Sequence, residues 1–410
     1  MKKRNKLKIL NDPIYGFITI PNALLFDLIE HRFFQRLRRI SQMGLSYLVY
    51  PGAHHTRFHH AIGSMHLMQR TIGVLRFKGV EISTNEEQAL LIAILLHDIG
   101  HGPFSHAMER SIVSGISHEW LSLQCMEEMN RDFNGSLTLA ISIFKGEYHR
   151  PFFCHLIASQ LDMDRLDYLK RDSFYTGVAE GNINSERMIS MLHVVEDNLV
   201  VEEKGIYSVE KFLLARRLMY WQVYLHKTSL VAEQLLIRTL KRAKEVLQSG
   251  QQIEASGPLR YFLVNNVNKE NFTTEKLYKF VELDDYDLMA ALKAWVHAKD
   301  HILRTLASML LNRNLLKIKI HRKPIPPVKV TQKREEAIRQ YNLSEEEASY
   351  FIFTGEVSNQ AYDLSKNDIR ILFKNNKLAS IVKATDGEHM IALSQPVTKY
   401  FICYPKQKIR

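Results

Sequence analysis

Histidines are crowded into one stretch of the chain. Nine of the 18 stand between residues 50 and 120, at positions 54, 55, 59, 60, 66, 97, 101, 106 and 118. Imidazole is the commonest metal ligand and the side chain that exchanges a proton near neutral pH, so the cluster points to metal or acid–base chemistry. Its centre is the string Leu95-Leu-His-Asp-Ile-Gly-His-Gly-Pro-Phe-Ser-His106. An apolar run from Ala89 to Leu96 feeds directly into His97 and Asp98, then stops at Gly100, Gly102 and Pro103. A helix that is apolar all round is buried, and it carries its terminal His-Asp pair inward with it. A buried carboxylate needs a compensating positive charge, and a divalent cation supplies one.

Two further sets share a helical face. Asp164, Tyr168 and Asp172 recur at i, i+4 and i+8 on a helix expected over 151–172, while Asp162 and Asp167 read as a solvated polar face. Arg216, Tyr220, Tyr224 and Lys227 repeat the pattern on a helix expected from Val209 through Leu247. His59 and His60 are about 100° apart on a helix, so only one can face inward.

The elements that must position these groups are mostly helical. Apolar residues recur at helical spacing over 21–43, 61–75, 86–98, 118–130, 151–172, 209–247, 275–280 and 285–311. A small hairpin of 198–202 with 205–208 is expected between helices. The segment 317–330 is basic, and its three prolines stop any helix. After a helical stretch at 333–343, short β-type runs are expected at 369–373, 379–384, 390–393 and 399–404. The expectation is a mostly α fold, with a helical domain over 1–325 (core about 50–175) and a small α+β lobe over 326–410.

Composition narrows the class. With 410 residues, 46% hydrophobic and 24% charged, the chain is ordinary globular protein, not a disordered or repetitive one. No apolar run approaches the roughly 20 residues that span a bilayer, so no membrane partner is expected. Cys125, Cys154 and Cys403 form neither a disulfide framework nor a zinc ribbon, and the expected location is the cytoplasm. Lys and Arg exceed Asp and Glu by 55 to 44, a net +11 that suits anionic partners such as nucleotides.

The chain resembles the HD-domain phosphohydrolases, and within them the deoxynucleoside triphosphate triphosphohydrolases. The resemblance runs through Asn11-Asp-Pro-Ile-Tyr-Gly16, Phe34-Gln-Arg-Leu-Arg-Arg39, Tyr50-Pro-Gly-Ala-His-His-Thr-Arg-Phe-His-His60, His97–His106, His118-Glu119, Asp162–Tyr168 with Arg171-Asp172, and Tyr224-Leu-His-Lys227. It implies His60, His97, Asp98 and Asp164 as metal ligands, with His59 left at the surface. Mn, Fe, Mg and Zn all suit that set. It implies that His101, His106, His118 and Glu119 surround the scissile phosphate, with Glu109 placed to orient an imidazole; which histidine is the general acid stays open. Tyr168 and Asp172 would contact the sugar, with Gln42, Met43 and Tyr224 at its edge. Arg57, Arg165, Arg216 and Lys227 would hold the phosphates.

The implied reaction converts a deoxynucleoside triphosphate to deoxynucleoside and tripolyphosphate. Two alternatives stand beside it. One is another HD phosphohydrolase activity, a nucleoside monophosphatase or phosphodiesterase. The other is a regulatory protein that binds nucleic acid weakly through a vestigial site. The family also implies a homo-oligomer, dimer or tetramer, with 317–334 and the C-terminal lobe at its interface. Lys8, Asn11 and Arg38 match the region where some members bind a nucleotide activator, whereas Glu30 replaces an Asp there and Arg165 replaces a Lys found in some members.

Overall fold

The computed structural model describes residues 8–406 apart from 105, 110, 114, 367 and 386–388. Three helices make the centre of the fold. Arg57–Phe77 packs against Thr84–Leu96 on one side and Met163–Thr176 on another. Every residue from Ala89 to Leu96 is buried, as a helix apolar all round requires. Its start is a capping box: Ser83 N donates to Glu86 at 2.8 Å, and Glu86 N donates to Ser83 Oγ at 3.2 Å.

Several expected helices are shorter than their periodicity. The 151–172 stretch is two helices, Pro151–Ile157 and Met163–Thr176. Asp162 breaks it by capping the second, accepting from Arg165 N and Ser159 N, both at 2.7 Å. Asp162 is therefore fully buried, not solvated. The 209–247 stretch is likewise interrupted. Ile206–Met219 runs into a π-turn at Tyr220–Tyr224, and a new helix, Lys227–Gln248, starts after His226. Asp300 caps His301–Leu311 and separates it from Asp285–Trp295.

The strands also depart from expectation. Asn198–Glu202 pairs with Leu192–Val195, while 205–208 begins a helix. Residues 390–393 lie in the helix His389–Ser394, because short apolar runs fit either period. Residues 379–384 divide between the strand Leu378–Ser380 and a helical turn capped by Ser380.

Two sheets tie the C-terminal part to the helical body. Val397–Tyr404 is central in one, antiparallel to both Lys317–His321 and Phe353–Asn359. In the other, Arg370–Leu372 pairs parallel to Asn198–Glu202 and so extends the hairpin. Phe353–Asn359 has no counterpart in the sequence reading, and one end of it reaches the functional cavity.

Candidate metal centre and adjoining cavity

Three helices bring two imidazoles and one carboxylate, those of His60, His97 and Asp164, to one point, with Asp98 beside them in a second group with His101 and His118. His60 comes from the first turn of Arg57–Phe77, His97 and Asp98 follow Thr84–Leu96, and Asp164 lies in the first turn of Met163–Thr176. His60 is fully buried, and its Nδ1 donates to Asp167 Oδ2 at 2.8 Å. His97 Nδ1 donates to the carbonyl of Ile94 at 2.6 Å. Both Nδ1 atoms donate, which directs the Nε2 atoms at Asp164 Oδ1, 3.1 Å from His60 and 3.5 Å from His97. Neither Nε2 makes a well-formed hydrogen bond. Cis ligands of an ion bound at about 2.1 Å lie about 3 Å apart, so the spacing and the donor set fit a divalent metal.

A proton and a cation compete for these nitrogens. Burial opposes charge on His60, but Asp164 and Asp167 outweigh it and raise its pKa to about 10. Burial likewise opposes ionisation of Asp98, and His97, His101 and Arg57 reverse that, holding the carboxyl well below its usual range. Because the folded pKa of His60 is raised, metal binding at pH 7 releases a proton and affinity climbs as pH rises. Titration calorimetry in two buffers of different ionisation enthalpy should give different heats; equal heats would contradict this.

Asp167, expected on a solvated face, is instead fully buried and is the residue that orients His60. Its other contacts are with Arg171, which also bonds Asp12 at 2.7 Å. The network fits because residue 63 is glycine. A Cβ there would stand 2.1 Å from Asp167 Oδ1 and 2.2 Å from Arg171 Nη2. Gly63→Ala is accordingly expected to push Asp167 off His60, weakening metal affinity by about 10- to 100-fold, as loss of an outer-shell partner does. Equilibrium dialysis with Mn²⁺ measures this, and unchanged affinity would refute it.

A second group adjoins the first. His101 Nε2 faces Asp98 Oδ1 at 3.3 Å, and its ring stacks on His118 with centroids 3.8 Å apart. Arg57 Nη1 bonds Asp98 Oδ2. Glu119 is mostly exposed and meets His118 Nε2 at 3.3 Å. The turn that carries His101 is clasped from behind by Arg36, fully buried, which donates to the carbonyls of Ile99, His101 and Leu283. Asp285 holds the same turn through Phe104 N at 2.9 Å.

Beside these groups opens a cavity of about 500 Å³ lined by Gln42, Met43, Arg57, Tyr168, Asp172 and Tyr224, among others. Asp172 is fixed in it by His55 Nε2 at 2.6 Å and the Tyr224 hydroxyl at 2.7 Å. His55, which the sequence reading did not single out, is buried against Tyr175. Among the described residues Arg165, Arg216 and Lys227 stand outside the lining. Arg165 bonds Asp162, Arg216 donates to the carbonyl of Ala361 at 3.0 Å, and Lys227 belongs to the helix after the π-turn. The side chains of His106 and Glu109 lie outside the described residues. His59 is half-buried, where its Nδ1 accepts from Thr56 N at 3.1 Å and so caps the helix.

Comparison with known proteins follows the same map. A model of the HD domain matches residues 57–189, and a model of an HD-associated region matches 183–256. The chain is 34% identical over 324 residues to the uncharacterized protein YwfO of Bacillus subtilis, covering 76% of this chain and 72% of that one. It is 31% identical over 271 residues to the deoxynucleoside triphosphate triphosphohydrolase SAMHD1 homolog of Dictyostelium discoideum, covering 61% of this chain and 52% of that protein. The crystal structure of a phosphohydrolase from Bacteroides thetaiotaomicron superposes with a TM-score of 0.95 at 49% identity, covering 98% of this chain and 100% of that one. Among the described residues no helix is long and apolar enough to cross a membrane. With the HD match seated on the helices that bring His60, His97 and Asp164 together and set Asp98 beside them, and near-complete overlap with a solved phosphohydrolase, the chain belongs to the HD-domain phosphohydrolase family.

Proposed function

We propose that this protein hydrolyses deoxynucleoside triphosphates to deoxynucleoside and tripolyphosphate. The observation that carries the reading is the Tyr168–Asp172–Tyr224 array, which leads away from the metal ligands into a cavity of about 500 Å³. That volume is within the range of small-molecule sites, about 300–1,000 Å³. The name of the Dictyostelium relative supports the same substrate class.

His60, His97, Asp98 and Asp164 would hold a divalent ion, which when bound polarises a phosphate oxygen and lowers the pKa of a water. Arg57 brings positive charge to the phosphate end of the cavity, where a guanidinium suits phosphate oxygens. Asp172 can accept the sugar 3′-hydroxyl while His55 and Tyr224 keep its carboxylate in place. In the chemical step a water oxygen bonds to the α-phosphorus and the bond from phosphorus to O5′ breaks. His101 and His118 are the described candidates to take the proton from water and return one to O5′.

Anion-exchange analysis of products tests the reading, with Mn²⁺ or Mg²⁺ and each of the four deoxynucleoside triphosphates alone and mixed. Tripolyphosphate plus deoxynucleoside is the expected result, and activity confined to mixtures would mean nucleotide activation. Orthophosphate released only from a monophosphate would replace it with a monophosphatase.

A further inference from the structure

We propose that the recess where the strand Lys317–His321 gives way to the helix Pro327–Tyr341 binds a phosphate chain, held by charge and without reading a base. Its lining shares no residue with the cavity beside the metal ligands, so the inference stands apart from the reaction proposed above.

The charge is written in the sequence. Residues 301–334 carry nine Lys and Arg and no Asp or Glu. The structure sets His321, Arg322, Lys323 and Lys329 in the wall of one shallow recess of about 480 Å³. Elsewhere in the chain Arg39, Arg76, Arg150, Arg171 and Arg242 each meet a carboxylate. Arg322, Lys323 and Lys329 meet none among the described residues. His321 Nε2 is buried and makes no hydrogen bond among the described residues. A buried polar atom without a partner calls for a ligand or ion beside it.

The fold keeps these cations together. Pro324 and Pro326 fix the backbone between them, Pro327 opens the helix, and Lys329 N donates to the carbonyl of Pro326 at 3.0 Å. Lys399 on the neighbouring strand adds to the same field, its pKa lowered by burial and by Arg322. The register places Tyr400 opposite both His321 and Glu356, so that carboxylate is two strand spacings, about 10 Å, from His321. Like charges gathered without a counter-ion repel one another, and a polyanion relieves the repulsion.

Chemistry selects the class of ligand. One carboxylate would neutralise one of these cations and leave the others unpaired. A chain of phosphates spreads several charges over the wall, where a guanidinium fork and two ammonium groups suit its oxygens. The described lining holds prolines and Ile325 but no aromatic ring to stack on a base, and no amide or carboxylate to read its edge. Inorganic polyphosphate and the triphosphate arm of a nucleotide share that chemistry.

The test is calorimetric titration of the metal-loaded protein, in excess Mg²⁺, with tripolyphosphate and separately with GTP. The wild type is compared with the triple variant Arg322→Gln/Lys323→Gln/Lys329→Gln. The metal centre is the same in both proteins, so a difference between them belongs to the recess. The variant should bind tripolyphosphate about 10-fold more weakly, lose a similar factor for GTP, and melt at the wild-type temperature without anion. The difference should shrink at about 0.5 M NaCl, where exposed charges are screened. Equal tripolyphosphate affinity in the two proteins overturns the proposal. A loss confined to GTP overturns it too, because a base would then be read. A variant that keeps tripolyphosphate but loses single-stranded DNA, or changes its mass in solution, makes the recess a nucleic-acid surface or a subunit contact instead.

Discussion

Asp98→Asn is expected to remove bound metal and turnover together. Asp98 touches four groups of the site: His60 at 3.8 Å, His97 at 3.5 Å, His101 at 3.3 Å, and Arg57. Asparagine keeps the shape but replaces one carboxylate oxygen with an amide nitrogen that has no lone pair to offer. It also removes one of the negative charges that make a cation favourable in a buried site. With the ion goes its polarisation of phosphate, and the expected loss in kcat is about 10³-fold or more. Folding should survive, because the surrounding helices are held by apolar packing; the weakened contact with Arg57 should cost about 1–3 kcal/mol. Elemental analysis of the purified variant, steady-state kinetics and a thermal melt measure the three effects. Full activity with metal still bound would sink the assignment of the centre.

His101→Asn should separate chemistry from metal binding. His101 faces Asp98 at 3.3 Å and groups with Asp98 and His118, not with His60, His97 and Asp164. If it moves the proton, kcat falls by about 10²- to 10⁴-fold while metal content stays at the wild-type level. The stacked partner gives an internal control. His118→Asn should change the pH profile of kcat/KM, because the pair faces the reaction together, whereas a purely structural stack would shift Tm and leave the profile alone. Metal lost along with activity in His101→Asn would make His101 a ligand or its support, not the proton carrier.

The chemistry was legible where it is written within single segments. The His-Asp pair after an apolar helix and the i, i+4 spacing of Asp164 and Tyr168 follow from residue type and local period, whereas His60 is picked out by the resemblance and lies in a helix that begins at residue 57, ahead of the 61–75 periodicity. Helix lengths were less legible, because Asp162, Asp300 and the π-turn at Tyr220–Tyr224 end helices that apolar periodicity alone would continue. The mostly α class survives such errors, since shortening a helix does not change its type.

Tertiary structure alone decided which polar residues serve the site. Asp167 and Asp162 look alike in sequence, yet one is bonded to a histidine 107 positions away and the other caps its own helix. His55 becomes a partner of Asp172 across 117 positions. The strand Phe353–Asn359, paired with Val397–Tyr404, brings residues of the C-terminal part to the cavity. Periodicity reports which side of an element is apolar, and burial follows from that. It carries no information about which distant side chain will stand at 2.8 Å, because that distance is set by how whole helices and sheets pack, down to the missing Cβ at Gly63.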